Sequence, residues 1–136
     1  MHDDCEFCRI VAGDRSAHVL YEDDCSVAFL DENPAVFGHS LVVPRVHDEE
    51  ILTLEEATSM AVFGTVRDVA NALEATLEPD GFSVFHTSGP LVGNVEHAHV
   101  HLLPRTVDDG VTLSLPRDRY DPDAARELTA RVREHL

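Results

Sequence analysis

Residues 97–105 read His-Ala-His-Val-His-Leu-Leu-Pro-Arg, so three histidines alternate with apolar side chains. Period-two alternation describes a half-buried strand, with His97, His99 and His101 along one wet face and Ala98, Val100 and Leu102 toward the core. Imidazole is largely neutral at physiological pH yet easily protonated, so such a row can bind a metal, hold an anion or act as a nucleophile. Alternate strand residues stand roughly 6.7 Å apart, which separates His97 from His101 by about 13 Å. Metal–nitrogen bonds of about 2.0 Å make a neighbouring pair a comfortable chelate and the straight triple an awkward one. The spacing predicts divided labour between the two ends of the strand.

A second group of reactive residues lies at Cys5-Glu6-Phe7-Cys8. A Cys-x-x-Cys can be a disulfide, a redox pair or half of a zinc site. A disulfide suits an oxidising compartment rather than an acidic cytosolic chain. A thioredoxin-like pair needs a preceding strand that this N-terminus is too short to supply. A zinc half-site needs two more ligands, for which His47 and His97 are the candidates, giving a closed Cys2His2 tetrahedron. Such a site pins the N-terminal turn to the start of the histidine strand. Cys25 is left over in an apolar stretch and reads as a buried small residue.

The elements that must position these residues can be read in order. Residues 5–12 form a short helical turn stopped by Gly13. Val19–Glu22 and Cys25–Asp31 are strand candidates joined by an acidic turn into a hairpin. Asn33-Pro34 and Gly38 mark a loop before a buried strand at Leu41-Val42-Val43, which Pro44 ends. Thr53-Leu54-Glu55-Glu56 is a capping box, and Val62, Val66, Val69, Leu73 and Leu77 behind it recur at helical spacing. Pro79-Asp80-Gly81 breaks that helix, and Phe82–Thr87 is a fourth strand. A loop with Gly89, Pro90 and Gly93 leads into the histidine strand. Asp121-Pro122 supplies an N-cap and a first-turn proline for a last helix reaching about His135. The expected fold is α+β: about five mostly antiparallel strands, one long helix on the sheet and a C-terminal helix. The histidine strand is expected to expose a sheet edge or its outer face, so pairing into a homodimer is expected.

With 136 residues, one domain with a real core is expected. Twenty-six acidic residues oppose ten basic ones, all of them arginine, for a net charge of −16. That charge repels a nucleic-acid backbone and argues against wrapping DNA or RNA. Acidic excess without lysine fits a halophilic surface, where screening weakens self-repulsion. No apolar run approaches membrane-spanning length and no signal-peptide pattern is present, so a soluble, cytoplasmic protein with no membrane partner is expected.

With Cys5 and Cys8, Gly38-His39, Val43-Pro44-Arg45-x-His47 and the histidine strand, the chain resembles the histidine triad (HIT) family, in its zinc-containing small nucleotide hydrolase branch. The resemblance runs from Cys5 to about Arg105, with residues 106–136 as an extension. His-φ-His-φ-His-φ-φ is matched in full at residues 97–103. Tyr21-Glu22-Asp23, Ala28-Phe29-Leu30-Asp31 and Gly38–Pro44 follow in the family's order and spacing. The resemblance implies hydrolysis or transfer at the α-phosphate of a nucleotide conjugate. His99 is the implied nucleophile, forming a covalent nucleotidyl-imidazole, with its other ring nitrogen donating to a backbone carbonyl. His101 and His39 are the implied binders of phosphate oxygens; alone, His39 would read as a turn residue after Gly38. Asp31 is the implied ribose ligand, and Phe7, Ile10, Phe29 and Leu41 the implied base pocket, although four such apolar residues are ordinarily just core. Cys5, Cys8, His47 and His97 are the implied ligands of a structural zinc ion.

The chain also departs from the family pattern. Gly93-Asn94 stands where Gln and a hydroxyl residue are usual, and an Asn94 amide can still donate to a phosphate oxygen or leaving group. His86 stands where Asn is common, and Glu6 where an apolar base contact is common. The expected activity is cleavage of purine nucleoside 5′-phosphoramidates or related conjugates. The alternatives are a dinucleoside polyphosphate hydrolase or phosphorylase, a non-catalytic nucleotide-binding adaptor, or a metalloprotein ligating through the triad.

Overall fold

The computed structural model describes residues 4–88 and 97–136. Its elements are α1 (Glu6–Ala12), β1 (Val19–Glu22), β2 (Ser26–Leu30), β3 (Ser40–Pro44), α2 (Glu56–Leu77), β4 (Gly81–Phe85), β5 (Val100–Arg105) and α3 (Pro122–Arg133). The strands form one antiparallel sheet in the order β1-β2-β3-β5-β4. This is the expected α+β arrangement with one correction. β5 lies between β3 and β4 and is not an edge; the edges are β1 and β4.

Alternation sorts the sheet's side chains onto two faces. Ala28, Val42, Val100 and Leu102 point to one face and pack with Val62, Val66, Val69 and Leu73 of α2. Val27, Phe29, Leu41 and Val43 point to the other and pack with Phe7 and Ile10 of α1. Leu41 pairs with Phe29 on one side and with His101 on the other, and His101 pairs with Phe85. One lateral row, Phe29–Leu41–His101–Phe85, therefore crosses four strands on the face away from α2. That row is the floor of the site.

Ala98, Val100 and Leu102 are buried as their alternation predicts. The ladder, however, begins only at Val100, so His97 and His99 precede the strand. Pro44 ends β3 and has no N–H with which to continue the pairing. Its carbonyl instead accepts a hydrogen bond from the His97 ring at 2.7 Å. His97 is fully buried, not on a wet face.

Two other expectations fail locally. The Thr53 capping box does not form: α2 begins at Glu56 with Glu55 as N-cap and no side-chain cap bond. Thr53 lies two residues upstream of that N-cap, in a turn that also holds the fully buried Ile51. Cys25 is exposed rather than buried. The Asp23 carboxylate accepts from the amides of both Cys25 and Ser26, so the turn is prolonged and β2 starts one residue later. At the C-terminus the reading holds, with the Asp121 carboxylate capping Ala124 and Pro122 opening α3.

Gly38, immediately before His39, has φ +91°, and a Cβ there would stand 2.9 Å from Leu77 Cδ1 and 3.1 Å from Pro104 Cγ. The left-handed backbone favours glycine, and a Cβ would also have to push the Leu77 and Pro104 side chains aside. Gly38→Ala is expected to cost about 1–3 kcal/mol of stability, read from the midpoint of chemical denaturation.

Candidate active site and metal centre

The N-terminal residues fold into the first cluster. Cys5 is the N-cap of α1, and its sulfur accepts from the Cys8 amide at 3.3 Å. One turn of helix thus places both sulfurs together. Cys8 Sγ lies 3.1 Å from His47 Nδ1 and 3.4 Å from His97 Nδ1, and Cys5 Sγ lies 3.6 Å from His97 Nδ1. All four ligand atoms lie within 4.8 Å of one another. A tetrahedron with Zn–S of about 2.3 Å and Zn–N of about 2.0 Å has S–N edges of about 3.5 Å. The observed separations fit such a group. His97 donates Nε2–H to the Pro44 carbonyl, which leaves the Nδ1 lone pair aimed at the sulfurs. Burial pushes the Cys5 thiol up, so metal binding here would release a proton.

The second cluster begins two residues beyond His97. His99 Nδ1 lies 2.8 Å from the His97 carbonyl and must donate to it, so in the neutral ring Nε2 keeps its lone pair. His99 lines a pocket of about 530 Å³ together with Phe7, Ile10, Phe29, Asp31, Leu41 and His101. The apolar residues expected at the base pocket do line this cavity, while remaining part of the core behind it. The Phe7 ring stands edge-on to both His99 and His97, with centroids 5.2 and 6.1 Å away. Glu6 lines the rim, where Arg15 bridges it to Glu32 at 3.1 and 3.0 Å.

His39 is buried and does not line the cavity. Its Nε2 lies 2.9 Å from His101 Nδ1 and 3.5 Å from Asp31 Oδ2, and its Nδ1 accepts the Ala35 amide at 3.0 Å. Asp31, His39 and His101 are close enough to suggest a second metal group. The Ala35 contact argues otherwise: with Nδ1 accepting an N–H, a neutral ring carries its proton on Nε2, where a metal would need a lone pair. His39 and His101 form a hydrogen-bonded pair, with the Asp31 carboxylate beside them. Burial pulls His39 below the usual histidine range, although Asp31 opposes it. Burial, with the nearby His99 and His39, pulls His101 down to about 4.

Phe85 and Glu50 were not anticipated, and His86 stood out in the sequence only as a departure from the family pattern. Phe85 stacks on His101, with ring centroids 4.5 Å apart and planes 15° apart. His86 donates Nδ1–H to the His99 carbonyl at 2.9 Å, and its Nε2 approaches Glu50 Oε1 at 3.4 Å. An aromatic–histidine pair closing a strand was the only local signal for them. Asn94 lies outside the described residues.

A match to the HIT domain family model spans residues 12–108. The chain belongs to the HIT family. It is 31% identical over 140 residues to Adenylylsulfatase HINT3 of Arabidopsis thaliana, covering 100% of this chain and 71% of that protein. It is 29% identical over 126 residues to Adenosine 5′-monophosphoramidase hnt1 of Schizosaccharomyces pombe, covering 91% and 92%. Among solved structures, a HIT family protein from Bacillus anthracis superposes with a TM-score of 0.90 at 29% identity, covering 100% of this chain and 99% of that one. A Zn-bound histidine triad protein from Mycobacterium smegmatis superposes with a TM-score of 0.73 at 31% identity, covering 96% and 94%.

The depressed ring of His101 has a stability consequence. As pH falls from 6.5 toward about 4, the unfolded chain takes up this proton before the folded one does. The contribution is therefore complete above that window and lost within it, and His39 and His97 shift in the same direction. Denaturation midpoints should fall between about pH 7.5 and about pH 5, and His101→Asn should lose less than the parent chain.

Proposed function

We propose that this chain hydrolyses purine nucleoside 5′-phosphoramidates, or related nucleotide conjugates, at the α-phosphate through a covalent nucleotidyl-His99 intermediate. The observation that carries this reading is the His99 ring: Nδ1 is committed to the His97 carbonyl, and the bare Nε2 belongs to a pocket-lining side chain. A nucleotide-binding adaptor needs no such lone pair. The phosphoramidase named among the relatives supports the phosphoramidate, and the adenylylsulfatase supports tolerance of other leaving groups.

In the first step His99 Nε2 attacks the α-phosphorus. The N–P bond to the ring forms as the bond to the leaving group breaks, and the leaving group departs with that electron pair, an amine having first taken up a proton from solvent. In the second step water attacks the same phosphorus, the ring leaves, and the nucleoside 5′-monophosphate is released with one proton going to solvent. Splitting one displacement into two easier ones is what nucleophilic catalysis supplies. Phe7, Ile10, Phe29 and Leu41 would hold the base, Asp31 the ribose hydroxyls, and Asn94 and His101 the phosphate end. The substrate partner in this reading is a purine nucleotide or its conjugate.

Zinc on Cys5, Cys8, His47 and His97 would be structural, holding α1 and hence Phe7 against the triad. It supplies no step in the reaction. Cys5, Cys8 and Cys25 are unpaired thiols, which supports a cytoplasmic setting. The β4 edge, with Val84 50% and Phe85 38% exposed, supports pairing with a second copy as a homodimer.

Quenching the protein during turnover should trap a nucleotide adduct on His99, visible by mass spectrometry. His99→Asn should lose at least about 10³-fold in turnover while still binding nucleoside monophosphate; unchanged turnover would remove this mechanism. Metal analysis should find about one zinc per chain. Cys8→Ser should lose that zinc and melt earlier, and activity that instead tracks metal bound at His99 would overturn the structural assignment.

A further inference from the structure

We infer that His39 is a positioning residue that fixes His101 in the tautomer carrying its proton on Nε2, so that His101 offers the pocket a neutral, permanently oriented N–H donor. This goes beyond direct phosphate binding by His39, which is buried and does not line the pocket. The protons follow from contacts alone. The Ala35 amide points at His39 Nδ1 from 3.0 Å, so that nitrogen holds a lone pair. The ring's proton is then on Nε2, which has His101 Nδ1 at 2.9 Å and Asp31 Oδ2 at 3.5 Å. The shorter contact takes it, so His101 Nδ1 is an acceptor and its own proton sits on Nε2.

Each other assignment produces a collision. If His101 Nδ1 were the donor, His39 would carry its proton on Nδ1, head-on to the Ala35 N–H. A doubly protonated His39 meets the same amide, and a doubly protonated His101 meets the His39 Nε2–H. One backbone amide therefore determines the state of a ring two hydrogen bonds away. Phe85, stacked 4.5 Å from His101, holds the plane of the imidazole, so both its proton and its direction are set before any ligand arrives.

The role in the reaction proposed above, on which this part rests, follows from that state. A neutral imidazole N–H can stabilise charge growing on a phosphoryl oxygen, as a fixed dipole needing no reorganisation. It cannot surrender the proton: His101 would become an imidazolate, and His39, stopped by Ala35, has no route to resupply it. His101 is thus an electrostatic donor and not the acid that protonates the leaving group. Substrates whose leaving atom departs already protonated, or as a stable anion, suit such a site.

The test uses the intact chain labelled with nitrogen-15. Ring nitrogen shifts should show His101 as the Nε2–H tautomer, unchanged between about pH 6 and about pH 8. His39→Gln retains an amide donor in place of Nε2–H and should keep both that tautomer and kcat within a few-fold. His39→Leu should leave His101 as a mixture of tautomers and lower kcat by about tenfold or more, with KM little changed. An Nδ1–H or doubly protonated His101 in the parent protein would overturn the inference. So would a His39→Leu chain with tautomer and kcat both unaltered. If the parent turns over no conjugate at all, the proposed reaction fails, while the ring shifts still decide the tautomer.

Discussion

Three hydrogen bonds between imidazoles and the backbone organise this molecule. His97 gives its Nε2–H to the Pro44 carbonyl, His99 gives its Nδ1–H to the His97 carbonyl, and His39 Nδ1 takes the Ala35 N–H. Backbone groups cannot rotate away or change protonation, so each bond assigns a ring proton once the chain has folded. The same residue type therefore serves three ends within a few ångströms. One ring presents Nδ1 to two sulfurs, one presents a bare Nε2 beside a pocket, and one ends a proton-ordered pair. Rotamers and partners separate these jobs more completely than spacing along the strand does.

Helix α1 joins the two clusters mechanically. Its N-cap Cys5 and its own Cys8 face His97 and His47, while Phe7, one of the two residues between them, stands edge-on to His97, His99 and Phe29. Seven residues make a helix too short to persist by itself. Its geometry depends on Cys5 capping Cys8, on left-handed Gly13 closing the last turn, and on Phe7 and Ile10 seated against β2 and β3. Anything that loosens the sulfur cluster therefore reaches the pocket, through the Phe7 ring and through the His97 carbonyl that holds His99.

Much of this was legible in the amino-acid order because it depends on local rules. Alternation identified Ala98, Val100 and Leu102 as buried, the spacing of Val62, Val66, Val69 and Leu73 identified the inner stripe of α2, and Asp121-Pro122 marked the start of α3. What escaped depends on neighbours remote in sequence. Nothing around His97 announces that Pro44 will accept from its ring, and nothing around His39 announces Ala35. The capping box failed because α2 begins with Glu55 as its N-cap, two residues beyond Thr53, and the Asp23 side chain holds the amide of the exposed Cys25 in the turn. The interior position of β5 is a matter of topology, which periodicity cannot report.

The pairing of Leu41 with His101, and of His101 with Phe85, ties the chemistry to strand alignment. Sliding β5 by one residue would turn its imidazole toward α2 and its valine and leucine outward. Sliding it by two would restore the faces but carry the ring roughly 6.7 Å from its histidine neighbour. Either mistake leaves a sheet of plausible appearance without the geometry the proposed reaction needs, so turnover of a conjugate would certify that the strands had met in the right order and phase.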